Sequence, residues 1–236
     1  GWHGIEGVLK EELLNLSAQA DEELCLLSTT PTAGAIGTCR YKLKDHQEED
    51  FERVIEIFKA HDVGYFFYNG GNDSMDTAHK VHLAAREIGY ELCCIGVPKT
   101  VDNDLAVTDN CPGFGSVAKY IAVSTREASF DVASMAKTST KIFVLEVMGR
   151  HAGWIAAAGG MAATEDCDLP VVILFPEVVF NERKFLAEVK RKVKEYGYCT
   201  IVVSEGCHWP DGKFLAEQGT RYAFGHAQLG GAAPVV

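Results

Sequence analysis

Five short segments of this chain, 63–68, 92–97, 141–147, 171–175 and 200–203, are nearly unbroken runs of apolar and β-forming residues. A strand that faces water on one side alternates polar with apolar residues, whereas a strand covered on both faces does not need to. Amphipathic stretches of helical period separate the runs. Phe51, Val54, Ile55 and Phe58 stand at i, i+3, i+4 and i+7, and Asp45 with Glu48 forms a capping box, so a helix is expected from there to about His61. Others are expected from Ser74 to about Ile88, from Phe114 to about Lys137, and over the small apolar stretch 151–163. Asn181 is placed to cap a further helix to about Tyr196, with Phe185, Leu186, Val189 and Val193 turned inward. Strand and helix in regular alternation predict parallel, doubly wound α/β layers, a class that collects ligands at the carboxyl ends of its strands. Pro112 and its flanking glycines, within 110–115, suit a crossover between two lobes.

The loops that leave these strands carry the polar chemistry. The first reads Gly70-Gly71-Asn72-Asp73-Ser74 and the second Pro98-Lys99-Thr100-Val101-Asp102-Asn103-Asp104. Glycines let backbone amides approach an anion, and a helix that begins just after them turns its positive end toward it. Asp73 would repel a phosphate unless a cation compensates, and Lys99 is a point charge of that kind. Asp102 and Asp104 are two residues apart, so one carboxylate can accept a hydroxyl proton while the other meets a metal ion. A third loop, Glu146-Val147-Met148-Gly149-Arg150-His151-Ala152-Gly153-Trp154, adds the forked donors of Arg150. Taken singly, the first loop also reads as a tight strand-to-helix turn, the second as a polar turn with Asx-type hydrogen bonds, and in the third Met148 as a core residue and His151 as a helix-start residue.

The bulk properties bound the partners. The 236 residues carry a formal charge of −11 without a long basic stripe, which argues against nucleic acid but leaves room for a small phosphorylated substrate. No apolar run reaches the roughly 20 residues of a membrane helix, and no signal peptide is visible. No C-x-x-C pair occurs among the eight cysteines, several of which lie inside apolar runs, so buried thiols in a reducing, cytoplasmic compartment are expected.

Together the three loops resemble the phosphofructokinase family. Gly37-Thr38-Cys39-Arg40, Ser204-Glu205-Gly206 and the segment from Gly225 and His226 to Gly231 match it further, in the family's order and spacing. The resemblance implies an α/β fold of two Rossmann-like three-layer α/β/α lobes with mostly parallel sheets. Residues 1–115 would form the phosphoryl-donor lobe, 116–225 the fructose 6-phosphate lobe and 226–236 the start of the return to the first. By the same resemblance Asp102 deprotonates the 1-hydroxyl of fructose 6-phosphate, Asp104 holds Mg²⁺ with Asn72, and Thr100, Lys99 and Arg150 support the transferring phosphoryl group. Thr100, Asp102, Asp104, Met148, Gly149, Arg150, Glu205 and His226 line the sugar site, joined by Lys141, which stands where relatives place an arginine that reaches a neighbouring subunit's substrate. Arg40, Gly70, Gly71, Asn72, Asp73 and Ser74 contact the donor. A homodimer or homotetramer is implied.

The donor follows from two positions. Members that use ATP have glycine where this chain has Asp73, and glycine where it has Lys99. Asp73 fills space and adds negative charge where an α-phosphate of ATP would lie, and Lys99 adds a donor for a diphosphate. Both resemble the pyrophosphate-dependent branch, whose reaction is reversible. Asn72, Lys141 and Leu229 depart from the family pattern, so an ATP-dependent enzyme and a non-catalytic regulatory subunit are the alternatives, with NAD and lipid kinases as a more distant one. The glycine-rich loop on the family's first strand and its closing helices have no counterpart here, and a chain truncated at both ends is expected.

Overall fold

In a computed structural model, residues 1–41, 43, 48–221 and 227–236 are described. They form two compact units, Gly1–Lys99 and Thr100–Val236.

The first unit contains α1 (Ile5–Leu9), α2 (Asp21–Leu26), α3 (Thr32–Ile36), α4 (Glu48–Ala60), β1 (Tyr65–Gly70), α5 (Asn72–Glu87) and β2 (Cys93–Pro98). β1 and β2 pair in parallel, Tyr65 opposite Cys93 and Gly70 opposite Pro98. Val54, Ile55 and Phe58 of α4 meet Val81 and Ala85 of α5 in a core that also takes Ile5 and Val8, with Phe51 at its margin. The predicted stripe of α4 is thus its buried face; Asp45, the expected start of its capping box, lies outside the described residues. α5 begins at Asn72, two residues ahead of expectation, because Gly71 serves as its N-cap.

One expectation fails in this unit. The continuous apolar runs predict strands covered on both faces, yet Tyr65 is 69% and Phe67 60% exposed, and Ile95 and Val97 beside them are exposed as well. The unit's own helices cover only the opposite face, where Phe66, Tyr68 and Cys94 join the core.

In the second unit stand α6 (Phe114–Met135), β3 (Ile142–Val147), α7 (Trp154–Ala158), β4 (Val171–Leu174), α8 (Glu182–Tyr196), β5 (Cys199–Ser204), β6 (Glu217–Arg221) and β7 (Ala227–Leu229). The main sheet runs in the order β3-β5-β4, all parallel, and all six residues of the central β5 are buried. α6 lays Ile121, Thr125, Ser129 and Val132 inward, and the Ser129 hydroxyl meets that of Thr200 at 2.8 Å, so a polar pair on helix and strand satisfies itself inside the core. The stretch expected as one helix over 151–163 is shorter: five residues of α7 and then a 3₁₀ turn, Gly159–Ala162. Asn181 caps α8 as expected, accepting the Lys184 amide at 3.0 Å, and Gly197 ends it at φ 88°. Phe185 and Val189 are buried there, but Leu186 is exposed, because it stands about 100° round the helix from Phe185. β6 and β7 pair antiparallel, a hairpin that no apolar run announces.

The units part between Lys99 and Thr100, ahead of the crossover expected within 110–115. Val101 packs into the cluster that holds Phe114 and Ile121, and Asn103 accepts the Cys111 amide, so the intervening loop is tied to the start of α6.

Among the described residues no helix is long and apolar enough to cross a membrane. All eight cysteines are free thiols. Burial pushes the thiols of Cys199 and Cys207 up to about 11, against an ordinary value of 9.0. A group whose folded-state pKa is raised binds its proton more tightly when folded, so this contribution is whole below pH 9 and is lost as pH rises toward 11. Urea midpoints are expected to be flat from pH 7.5 to 8.5 and to fall between pH 9 and 11, with a smaller fall for a Cys199→Ser, Cys207→Ser protein. An equal fall in both proteins would refute the assignment.

Candidate active site

In the first unit the donor loop is a strand-to-helix turn. The two glycines do different things. A Cβ on Gly70 would overlap the Ser74 side chain, so its bareness is needed for packing. Around Gly71 there is open space, bounded by the Lys99 ammonium 3.9 Å from where a Cβ would be. The Gly71 carbonyl accepts the amides of Ser74 and Met75, and no side chain caps α5. The positive end of α5 thus carries no side-chain cap and has the Lys99 ammonium near Gly71, an arrangement suited to an anion. Lys99 is exposed, and its own amide bonds the Gly70 carbonyl at 2.9 Å, which fixes the second loop's start to the first. Asn72 and Asp73 occupy the first turn of α5. Ser74 is steadied by Tyr68, whose phenol burial pushes up to about 12 and so keeps as a neutral partner. Arg40 is exposed in this unit.

In the second unit Thr100 is half-buried, and its hydroxyl accepts the Asp102 amide at 3.1 Å. Asp102 is half-buried, Asn103 buried and Asp104 exposed. Val101 belongs to the same core cluster as Val147, the last residue of β3, so this loop lies beside the loop that follows β3. In the latter, Gly149 has φ 128° and its carbonyl accepts the Ser204 hydroxyl. Met148 is exposed, Arg150 half-buried, and the Arg150 Nε is buried with no hydrogen-bond partner among the described residues. The far end of the loop is held by Glu177, whose carboxylate accepts the Gly153 amide at 2.7 Å. Glu205 is half-buried, and its amide bonds the Val147 carbonyl at 2.9 Å. Thr100, Asp102, Met148, Gly149, Arg150 and Glu205 thus gather at one end of the sheet. Lys141 does not join them: it is exposed at the opposite end of β3, roughly 20 Å away along a six-residue strand. His226 lies outside the described residues.

Comparison with known proteins decides the family. The phosphofructokinase family profile matches residues 2–236. The chain belongs to the phosphofructokinase family. It is 60% identical over 238 residues, all of this chain, to a protein of Methylococcus capsulatus named pyrophosphate–fructose 6-phosphate 1-phosphotransferase, and 58% identical over its whole length to one of the same name from Halomonas elongata. Among solved structures, the pyrophosphate-dependent phosphofructokinase of Nitrosospira multiformis superposes with a TM-score of 0.84 at 57% identity, covering 100% of this chain and 54% of that one. The chain spans about half the length of the curated relatives it matches, 56% of the Methylococcus protein.

The loops that follow β1, β2 and β3 are each braced by hydrogen bonds within their own unit. Three of the bracing residues, Glu177, Ser204 and Asn103, were not singled out for that role from sequence. Each acts across a gap in the chain, Ser204 reaching back 55 residues to Gly149. The only sequence signal was the presence of Ser204 and Asn103 inside family motifs. Among the described residues no group of three or more His, Cys, Asp or Glu side chains is arranged to hold a metal ion. An exposed Asp104 still fits a divalent ion of the Mg²⁺ kind, which takes one or two carboxylates and completes its shell with water and substrate phosphate.

Proposed function

We propose that the protein transfers a phosphoryl group from pyrophosphate to the 1-hydroxyl of fructose 6-phosphate, giving fructose 1,6-bisphosphate and phosphate, reversibly, as a cytoplasmic homo-oligomer in glycolysis and gluconeogenesis. The observation that carries the donor is the Lys99 ammonium 3.9 Å from where a Cβ on Gly71 would be, in a loop whose helix α5 has Asp73 in its first turn. A diphosphate is compact enough to use that helix end and that ammonium, and the Asp73 side chain takes up room that the α-phosphate of a nucleotide would need. The names of the relatives at 55–60% identity agree with this donor.

In this reading residues 1–115 serve the donor, 116–225 the sugar, and 226–236 the return. Asp102 accepts the proton of the 1-hydroxyl as its oxygen attacks phosphorus. The bond to the bridging oxygen breaks, and phosphate leaves with both electrons of that bond. Lys99 and Arg150 balance the charge on the oxygens, and Thr100 steadies the Asp102 backbone. Met148, Gly149, Glu205 and His226 shape the sugar pocket, Arg40 adds a donor contact, and Lys141 acts only across a subunit boundary. Mg²⁺, held by Asp104 and weakly by the neutral Asn72, supplies neutralisation of the phosphate charge when bound.

The test is a donor assay on the intact protein with fructose 6-phosphate and Mg²⁺. Turnover is expected with pyrophosphate and not with ATP; equal or better turnover with ATP would sink the donor reading. An Asp73→Gly, Lys99→Gly protein is expected to raise the pyrophosphate KM by roughly 10- to 100-fold, the value of one lost charge-assisted contact, and to gain ATP binding. An unchanged preference would refute the steric and charge argument.

A further inference from the structure

We infer that Asn103 is a positioning residue that sets the separation and direction of Asp102 and Asp104; this rests on the reaction proposed above. Three observations carry it. Asn103 is buried, at 8% exposure, between two carboxylate residues of which one is half-buried and the other exposed. Its backbone is left-handed, φ 59°, a conformation that asparagine tolerates and most residues do not. Its side chain is spent wholly on the loop: Oδ1 accepts the Cys111 amide at 2.7 Å, and Nδ2 donates to the Asp109 carbonyl at 3.3 Å.

The path from that amide leads to rigid structure. Cys111 is 3% exposed, and its carbonyl accepts the Phe114 amide at 3.1 Å, at the first residue of the 22-residue α6. On the other side, the Asp102 amide is held by the Thr100 hydroxyl. Asp102 is therefore fixed from both directions, through Thr100 before it and through Asn103 to α6 after it. The left-handed turn at Asn103 breaks the alternation of an extended chain, in which residues two apart would share a face. It lets Asp102 remain half-buried, for a proton, while Asp104 reaches water, for a metal ion. Val107, further along the loop, is also left-handed at φ 57° but fully exposed.

The experiment uses the intact protein and three variants. Asn103→Gly keeps the left-handed backbone and loses both side-chain hydrogen bonds. Asn103→Asp keeps the acceptor for Cys111 and loses the donor to Asp109. Asn103→Ala loses both bonds and strains the backbone. Turnover with pyrophosphate and fructose 6-phosphate is read alongside amide hydrogen exchange across 102–111. Asn103→Gly is expected to lower kcat about 100-fold with both KM values within about threefold, since a displacement near 1 Å of a reacting group costs about that much. Exchange across 102–111 should quicken at least tenfold there and stay unchanged in β5. Asn103→Asp should recover part of both losses, and Asn103→Ala should fall below Asn103→Gly. A Gly variant with kcat within threefold of the parent, or with unchanged exchange, overturns the inference, as does loss of thermal stability alone. If Asn103→Ala does not fold, the Gly and Asp variants decide. If the parent protein shows no turnover at all, the proposed function fails, and the exchange data alone still decide whether Asn103 holds this loop.

Discussion

Asp102→Asn is expected to lower kcat for pyrophosphate-dependent phosphorylation by about 10³-fold, within the range that positioned acid–base groups supply. The amide has nearly the carboxylate's shape, so the backbone bond from residue 102 to the Thr100 hydroxyl and the packing of Val101 should persist. What is lost is the ability to take a proton from the attacking hydroxyl. KM for fructose 6-phosphate should therefore stay within a few-fold, because an interaction realised only in the transition state has gone. Steady-state kinetics in both directions check this, and the reverse reaction must lose as much as the forward one, since the same group returns the proton. A kcat within tenfold of the parent would remove Asp102 from the role of base.

Gly206→Ala should be a severely damaging change for a single methyl. A Cβ there would overlap the Arg150 carbonyl and crowd the Gly149 carbonyl, both backbone groups that cannot swing aside. The same two residues are held by the Ser204 hydroxyl on the Gly149 carbonyl and, one step away, by the Glu205 amide on the Val147 carbonyl. The clash must therefore move either the loop of Met148, Gly149 and Arg150 or the end of β5, every residue of which is buried. Overpacking of this kind costs about 3 kcal/mol. If the loop yields, Arg150 is displaced and kcat/KM for the sugar falls about 100-fold. Urea unfolding and steady-state kinetics measure the two parts. Gly115→Ala is the control: nothing lies within 4 Å of its Cβ, and it stands in the first turn of α6, so it should raise stability by about 0.5–1 kcal/mol. Equal stability of the two variants would show that the 149–206 contact is not close in solution.

Much of the architecture was present in local pattern. Each apolar run became a strand within about two residues, because it is rich in β-branched and aromatic residues and too short for a buried helix. The stripe of α4 and the Asn181 cap of α8 were readable because helix periodicity and capping act over three or four residues. The loop chemistry was readable for the same reason: in parallel sheets ligand-binding residues stand just after strands, so strand ends locate them. The short helices α1, α2 and α3 were not seen, since five or six residues cannot hold a helix without packing. The β6–β7 hairpin was missed because Glu217–Arg221 carries little apolar signal.

The sequence by itself determined the fold class, the family and the residue types of the loops: Lys99, Thr100, Asp102, Asp104 and Arg150 in an order that phosphoryl transfer can use. Only the tertiary structure decided which of them are held, and by what. It separated the roles of Gly70 and Gly71, put Lys141 at the far end of β3 from Arg150, and left one face of β1 and β2 exposed despite its apolar residues. It also joined Gly149 to Ser204 and Gly153 to Glu177 across 55 and 24 residues. Propensity and periodicity depend on neighbours along the chain, whereas a hydrogen bond or a steric contact between distant residues exists only once the chain has folded. The bonds that hold Gly149 and Gly153 are of that kind.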